Sequence, residues 1–224
     1  MANLTLLKSY IKSNQAYTST VELTTFAQNT LQMKLVFATN NKHKLKEIQQ
    51  IVTDNIQIQS LADIGCFDEI PETQATIAGN ASQKAWYIYN KYNCNCFADD
   101  TGLEIDFLDG RPGVYSARYA GEGKNFDDNI MKVLEEMKHT TSRNARFTTV
   151  ISLIINGIET QFEGYVEGQI LETPIGSGGF GYDAIFRPKG FNESFAQMAA
   201  EQKNAISHRG MAVQKLTDYL MKKG

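Results

Sequence analysis

The sequence has few cysteines, a single tryptophan and no apolar run long enough to span a bilayer. Its three cysteines are Cys66, Cys94 and Cys96, an odd number without repeated C-x-x-C spacing. Such usage favours a reducing, cytoplasmic compartment over a disulfide framework. Because Cys94 and Cys96 have no second pair of metal ligands nearby, we interpret the thiols as buried structural groups.

Neither sign of charge dominates. The chain has 22 Lys and Arg residues and 25 Asp and Glu residues, which gives a net charge of −3. This balance argues against a general basic surface that coats nucleic acid, although it is compatible with a local basic pocket. An RNA-binding module would need several aromatic residues on a basic sheet face, which the acidic balance and the lone Trp86 disfavour. We therefore expect neither nucleic acid nor a membrane as a partner.

Helical and strand patterns alternate early in the chain and a hairpin follows, which predicts an α/β fold with a mixed sheet and helices on its faces. The clear pattern begins at Met33, so we interpret residues 1–32 as an N-terminal extension and residues 33–224 as one domain. Asn156-Gly157 lies between two β-rich runs and is a strong hairpin signal. Strands are predicted at 34–39, 56–60, 96–99, 102–108, in the hairpin within 145–168, and after the glycine-rich segment 176–186. Helices are predicted after the turn at 40–44, at 78–92, at 125–137 and from Ser194 onward, with a long ordered loop at 109–123.

The segment TNNKHK, residues 39–44, predicts an anion site. It follows a strand and opens a helix, where free backbone N–H groups and the helix dipole favour negative charge. Lys42 and Lys44 add full positive charges. A capped helix start with solvated lysines would produce the same pattern, and the glycines of a Walker loop are missing.

Two adjacent acids, Asp99 and Asp100, predict a cation site. Like charges repel, so the pair is costly unless something positive lies between them. In a strand the two side chains point to opposite faces, unless a turn re-aims one of them. Mg²⁺ prefers one or two carboxylates together with substrate phosphates and water. A turn aspartate that caps its own backbone is the alternative.

The glycine-rich segment GSGGFGYD, residues 176–183, favours base recognition. Its glycines permit close backbone approach, so the Phe180 ring can stack on a base while Asp183 or backbone groups read the base edge. A flexible turn that carries a core phenylalanine is the alternative.

A basic segment near the C-terminus favours phosphate and base recognition. Lys203 can hold phosphate, and His208 and Arg209 can hydrogen-bond a base oxygen. The alternative is a helix start capped by Ser207. Taken together, the four segments predict a nucleoside triphosphate site. A nucleotide sensor without turnover would lack the acids, so the sequence favours an enzyme.

FATNNKHKLKEI, FADDTGLEID, PGVYSARYAGE, GGFGYDAIF and KNAISHRG occur in this order, and the chain from about Lys34 to the C-terminal helix resembles the inosine/xanthosine triphosphate pyrophosphatases. The resemblance implies an α/β fold with an elongated, twisted mixed sheet flanked by helices, two lobes and a central cleft. It also implies a homodimer, and Mg²⁺-dependent hydrolysis of ITP, dITP and XTP to the monophosphate and pyrophosphate.

The resemblance also implies roles for individual residues. Asp100 matches the catalytic base and metal ligand. Asn40 and His43 stand where the phosphate loop often carries glycines. Pro71 lies where a metal-linked glutamate often stands, so Glu72 or Glu69 is expected to hold the metal with Asp100. The substrate-binding residues implied are Thr39, Asn40, Asn41, Lys42, His43, Lys44, Lys84, Thr101, Phe180, Gly181, Tyr182, Asp183, Lys203, His208 and Arg209.

Overall fold

The structure is a computed structural model that describes residues 33–52 and 55–222. The predicted N-terminal extension, residues 1–32, lies outside the described residues. Of the described residues, 34–52 and 58–222 form one compact unit. Within the described residues, no helix combines the length and the apolar content needed to cross a membrane.

The described residues form a mixed sheet and helices. The strands are β1 (Met33–Phe37), β2 (Ile56–Gln59), β3 (Cys96–Ile105), β4 (Asn144–Ile155), β5 (Ile158–Ile170) and β6 (Phe186–Pro188). The helices are α1 (Lys42–Ile51), α2 (Ile77–Tyr92), α3 (Phe126–Glu136), α4 (Ala200–Ile206) and α5 (His208–Met221). In this part of the chain six strands form one sheet in the order β2-β1-β3-β4-β5-β6. β1 is parallel to β3, whereas β3, β4, β5 and β6 pair antiparallel in succession. The predicted mixed α/β fold with a sheet flanked by helices is confirmed.

β3 is a single strand, so the prediction of two short strands separated by a turn is wrong. All of its residues pair with β4, from Cys96 opposite Ile154 to Ile105 opposite Ala145. Gly102 suggests a turn in the sequence but lies inside the sheet. A Cβ atom there would come within 2.8 Å of the carbonyl oxygen of Gly113, so close backbone approach requires the glycine.

The loop predicted at 109–123 contains a 3-10 helix, Gly113–Arg118, which follows β3 and packs against it. The hairpin prediction is confirmed, because Asn156 and Gly157 join β4 to β5 with φ values of 50° and 78°. Positive φ at both central residues is typical of a two-residue hairpin turn.

The C-terminal helical region begins later than predicted, at Ala200 instead of Ser194. The Ser194 hydroxyl donates to the carbonyl oxygen of Ile175, and its N–H donates to the side chain of Gln197. These two bonds hold Ser194 in a loop, so the helix does not begin at this residue. Ser207 separates α4 from α5 and caps α5 by accepting the Gly210 N–H, which is the capped helix start that the sequence left open as an alternative.

Apolar packing supports both ends of β3. One buried cluster packs Ala85 and Ile88 of α2 against the strands, and it includes Cys66 and Cys96. All three cysteines are free thiols, and Cys94 is partly buried. A second cluster packs α3 and the segment 182–198 against the far end of β3 and includes Phe147. The polar residues 99–101 lie between these clusters, in the middle of the strand.

Helix α5 begins directly over the centre of the sheet. The strand register aligns Thr101, Thr149 and Gly164 in one row across β3, β4 and β5. A Cβ atom on Gly164 would lie 2.2 Å from the carbonyl oxygen of His208 and 2.6 Å from the amide nitrogen of Ala212. Since both atoms belong to the backbone, they cannot yield by a side-chain rotation. Gly164 therefore allows the first turn of α5 to lie against the sheet.

Replacing Gly164 by alanine is expected to lower the free energy of unfolding by about 2–3 kcal/mol, because overpacking against backbone forces α5 outward. Urea denaturation followed by circular dichroism measures this change. Gly123→Ala is the matched control, since a Cβ atom there meets nothing within 4 Å. Equal stabilities of the two variants would contradict the proposed fit of α5.

Candidate active site

A cavity of about 970 Å³ opens beside the centre of β3. Every residue predicted from the sequence as catalytic, substrate-binding or metal-binding lines this cavity. The residues come from the β1–α1 turn, the loop before α2, α2 itself, β3, the glycine-rich segment and the α4–α5 region. Their roles stay predictions, but the tertiary structure brings together segments that are far apart in the sequence.

The β1–α1 turn is a capped helix start as well as a cavity wall. Asn41 is the N-cap of α1, and its side chain accepts the N–H groups of His43 at 2.9 Å and Lys44 at 3.2 Å. The Asn41 N–H in turn donates to Thr39 Oγ1 at 3.1 Å. The turn therefore holds Lys42 and Lys44 in a defined geometry at the cavity.

The two adjacent acids of β3 have different partners, as alternation in a strand predicts. Asp99 is fully buried and accepts Lys44 Nζ at 3.0 Å and Arg209 Nε at 3.0 Å. Burial acts to raise the pKa of Asp99, but Lys44 and Arg209 outweigh it, and the pKa lies well below its usual range. Lys44 and Arg209 therefore favour the charged form of Asp99, which serves as a structural acid.

Asp100 faces α2 and the cavity. Its oxygens accept Lys84 Nζ and Asn80 Nδ2, both at 3.3 Å. Burial raises the pKa of Asp100, although Lys84 and Lys44 oppose the shift. The Lys84 ammonium also contacts Glu72. Burial acts to lower the pKa of Lys84, but Asp100 and Glu72 raise it overall, so Lys84 stays charged between the two acids.

Glu72 and Glu69 differ in their surroundings. Glu72 is partly buried and shares Lys84 with Asp100. The Glu69 side chain is 93% exposed, and its Oε1 lies 4.0 Å from Lys124 Nζ. Among residues 33–52 and 55–222, no group of three or more His, Cys, Asp or Glu side chains is arranged to hold a metal ion. The structure therefore brings one glutamate, Glu72, to the same cation as Asp100.

Arg209 and Lys203 are held by acids from three elements. Arg209 donates to Asp99, to Glu47 at 2.6 Å and to Thr101 Oγ1 at 3.0 Å. Lys203 donates to Glu47 at 2.8 Å and to Asp183 at 2.6 Å. Burial raises the pKa of Asp183 despite the charge of Lys203. These bonds tie α1, β3 and the glycine-rich segment to α4 and α5.

The glycine-rich segment positions Phe180 at the cavity. The Phe180 N–H donates to the carboxylate of Asp183 at 2.8 Å, and a Cβ atom on Gly179 would collide with the same carboxylate. Lys203 Nζ lies 5.0 Å from the centre of the Phe180 ring. Tyr182 is buried, and its hydroxyl donates to the carbonyl oxygen of Ser116 at 2.9 Å, so it also supports the segment.

His208 is a buried, neutral imidazole. Its ring stacks on Phe147 with centres 4.6 Å apart and an interplanar angle of 17°. Burial, with Arg209 and Lys203 nearby, holds the pKa of His208 well below its usual value. Within the described residues, Nδ1 of His208 is the buried side-chain nitrogen that lacks a hydrogen-bond partner. Because His208 is one of the residues that line the cavity, this unpartnered nitrogen is a candidate hydrogen-bonding group for a ligand.

The sequence prediction missed several residues of the site. Glu47 holds both Lys203 and Arg209, and Asn80 holds Asp100. Phe126 and Asn129 of α3 also line the cavity. Helical spacing was a signal for both residues, since Glu47 follows Lys44 by three residues and Asn80 precedes Lys84 by four. Nothing local linked α3 to the cavity.

Comparison with known proteins identifies the family and related structures of this chain. A model of the Ham1 family matches residues 35–219. The chain is 55% identical over 188 residues to the dITP/XTP pyrophosphatase of Flavobacterium johnsoniae. The alignment covers 84% of this chain and 98% of the relative. A solved HAM1 protein from Coxiella burnetii superimposes with a TM-score of 0.79 at 35% identity and covers 85% of this chain and 99% of that chain. The solved Ham1 protein of Staphylococcus aureus gives a TM-score of 0.78 at 36% identity, with 85% and 100% covered.

The resemblance inferred from the sequence motifs is confirmed by these matches. The family model spans most of the chain, and the relatives align along nearly their whole length. This chain therefore belongs to the Ham1 family.

Proposed function

We propose that this protein hydrolyses ITP, dITP and XTP to the nucleoside monophosphate and pyrophosphate, and so removes deaminated purine nucleotides. The observation that carries the proposal is that one cavity joins the Lys44–Lys84–Asp100 cluster to Phe180 and His208. The first group suits a triphosphate, and the second suits a purine with a 6-oxo group. Relatives named dITP/XTP pyrophosphatase add support.

Mg²⁺ fits the donor set of the site. Glu72 and Asp100 both contact the Lys84 ammonium, so their oxygens lie within reach of one cation, and Mg²⁺ prefers such carboxylates. The cationic side chains of the cluster are already paired with acids, so a triphosphate needs further positive charge. Mg²⁺ held by Asp100 and Glu72 would neutralise phosphate oxygens.

Asp100 is the proposed general base. Its raised pKa brings the carboxylate closer to the range in which a group accepts a proton efficiently near neutral pH. Asp100 would take the proton of the water that attacks phosphorus and would be oriented by Asn80 and Lys84. Lys44 and Lys84 would offset the charge that develops on the phosphate oxygens.

His208 is the proposed reader of the base. In the tautomer with a proton on Nδ1, the unpartnered nitrogen donates to the 6-oxo group of hypoxanthine or xanthine. An adenine amino group would meet a donor there and be rejected. Three nitrogens of Arg209 are bound to protein oxygens, so Arg209 mainly fixes this end of the cavity.

The family resemblance also supports further proposals about the whole protein. These are a catalytic domain at 33–224 with an extension before it, a homodimer, and a cytoplasmic location. Light scattering during gel filtration measures the mass of the particle and so tests the homodimer.

With Mg²⁺, the purified protein is expected to release pyrophosphate from ITP and XTP with a kcat/KM at least about 10²-fold above that for ATP, because a mispaired hydrogen-bonding edge is penalised heavily. Binding of ITP without pyrophosphate release would indicate a sensor.

His208→Asn should lower kcat/KM for ITP about 10- to 100-fold, the cost of one buried hydrogen bond. His139→Asn, at an exposed histidine, is the control. Equal losses of kcat/KM for ITP and ATP would remove His208 from base selection.

Asp100→Asn is expected to lower kcat for ITP by about 10²–10⁴, since the amide cannot accept the proton. A pyrophosphate-release assay at saturating ITP measures the change. Asp106→Asn, which alters an exposed acid just beyond β3, should leave kcat unchanged. A near-normal rate in Asp100→Asn would refute its role as the base.

Exchanging each candidate metal ligand distinguishes Glu72 from Glu69. Glu72→Gln should raise the Mg²⁺ concentration needed for half-maximal activity at least about tenfold, because a ligand that shares the cation with Asp100 is lost. Glu69→Gln should match the wild type, since Glu69 lies at the exposed rim. The reverse pattern in a Mg²⁺ titration would assign the ligand to Glu69.

A further inference from the structure

Three aromatic rings from separate elements meet at the cavity. His43 lies in the first turn of α1, Phe126 is the first residue of α3, and Phe180 lies in the glycine-rich segment. The His43 and Phe180 rings stack with centres 5.2 Å apart at 22°. Phe126 lies 6.2 Å from Phe180 and 6.5 Å from His43. All three side chains line the cavity.

Phe126 differs from the apolar residues of its helix that face the core. Ile130 and Val133 are 6% and 0% exposed and pack into the core, whereas Phe126 is 37% exposed. Its ring contacts are with His43 and Phe180, at the cavity. The core therefore does not account for a large ring at this position, and burial by a ligand would remove apolar surface from water.

The imidazole of His43 indicates where a planar ligand ring fits. It is a heteroaromatic ring stacked nearly parallel on Phe180, and it forms a T-shaped pair with Phe126 at an interplanar angle of 66°. Offset stacks and edge contacts of this kind are the favoured geometries of aromatic pairs. His43 is exposed, so its side chain can give up this place to a ligand. A purine stacked there on Phe180 would meet the Phe126 ring edge-on.

We infer that Phe126 is a base-contacting residue that, with Phe180, encloses the purine of the bound nucleotide and contributes to its affinity. The inference rests on the proposed function and adds a residue outside the motifs that predicted it. Phe126 carries no polar group, so it contributes affinity for the flat ring and leaves the choice of 6-oxo purine to His208.

Binding of the two products tests this contact without turnover. Calorimetric titrations with Mg²⁺ present would use IMP, which carries the base, and pyrophosphate, which does not. Phe126→Ala is expected to weaken IMP binding about tenfold or more, the usual range for one lost base–aromatic contact, and to leave pyrophosphate binding unchanged. For ITP hydrolysis the same variant should raise KM with little change in kcat.

Two further variants complete the test. Phe126→Tyr keeps the ring and should restore IMP affinity, and Met131→Ala, at a 62% exposed residue of the same helix, should bind both ligands normally. A loss of IMP affinity below about threefold in Phe126→Ala, or an equal loss for pyrophosphate, would overturn the inference. Wild-type protein that neither binds IMP nor hydrolyses ITP would instead refute the proposed function.

Discussion

The buried guanidinium of Arg209 is the interaction on which the site depends. It donates to Asp99 of β3, to Glu47 of α1 and to Thr101, so it joins the sheet to helices from opposite ends of the chain. Leaving any one of these charges without its partner in a buried site would cost several kcal/mol, roughly 3–5. The pairs are therefore satisfied together, which gives the cavity one defined geometry.

This constraint explains why two acids can stand side by side in β3. Asp99 turns toward Arg209 and Lys44 and serves structure, whereas Asp100 turns toward Lys84 and the cavity. Alternation in the strand separates them, and separate cations compensate each of them. The opposite directions of their pKa shifts follow from these environments: strong cationic pairing for Asp99, and burial that outweighs its lysines for Asp100.

Local sequence signals predicted the elements well where one face or one turn decides the conformation. The Asn156-Gly157 hairpin was predicted from neighbouring residues alone, and the Ser207 cap, which the sequence left open as an alternative, also involves only neighbouring residues. The interruption predicted in β3 failed because Gly102 serves a close approach to Gly113, which is a contact between segments. The helix start predicted at Ser194 failed for a similar reason, since the Ser194 hydroxyl bonds to Ile175.

The sequence by itself determined the family, the mixed α/β fold and many of the residues that line the cavity, because these reside in ordered motifs and in the periodicity of apolar residues. Only the tertiary structure decided which charges pair, that Glu72 and not Glu69 shares a cation with Asp100, and that Phe126 joins the wall beside Phe180. The physical reason is that pairing, burial and ring contacts depend on distances between segments that are remote along the chain, and no local pattern records those distances.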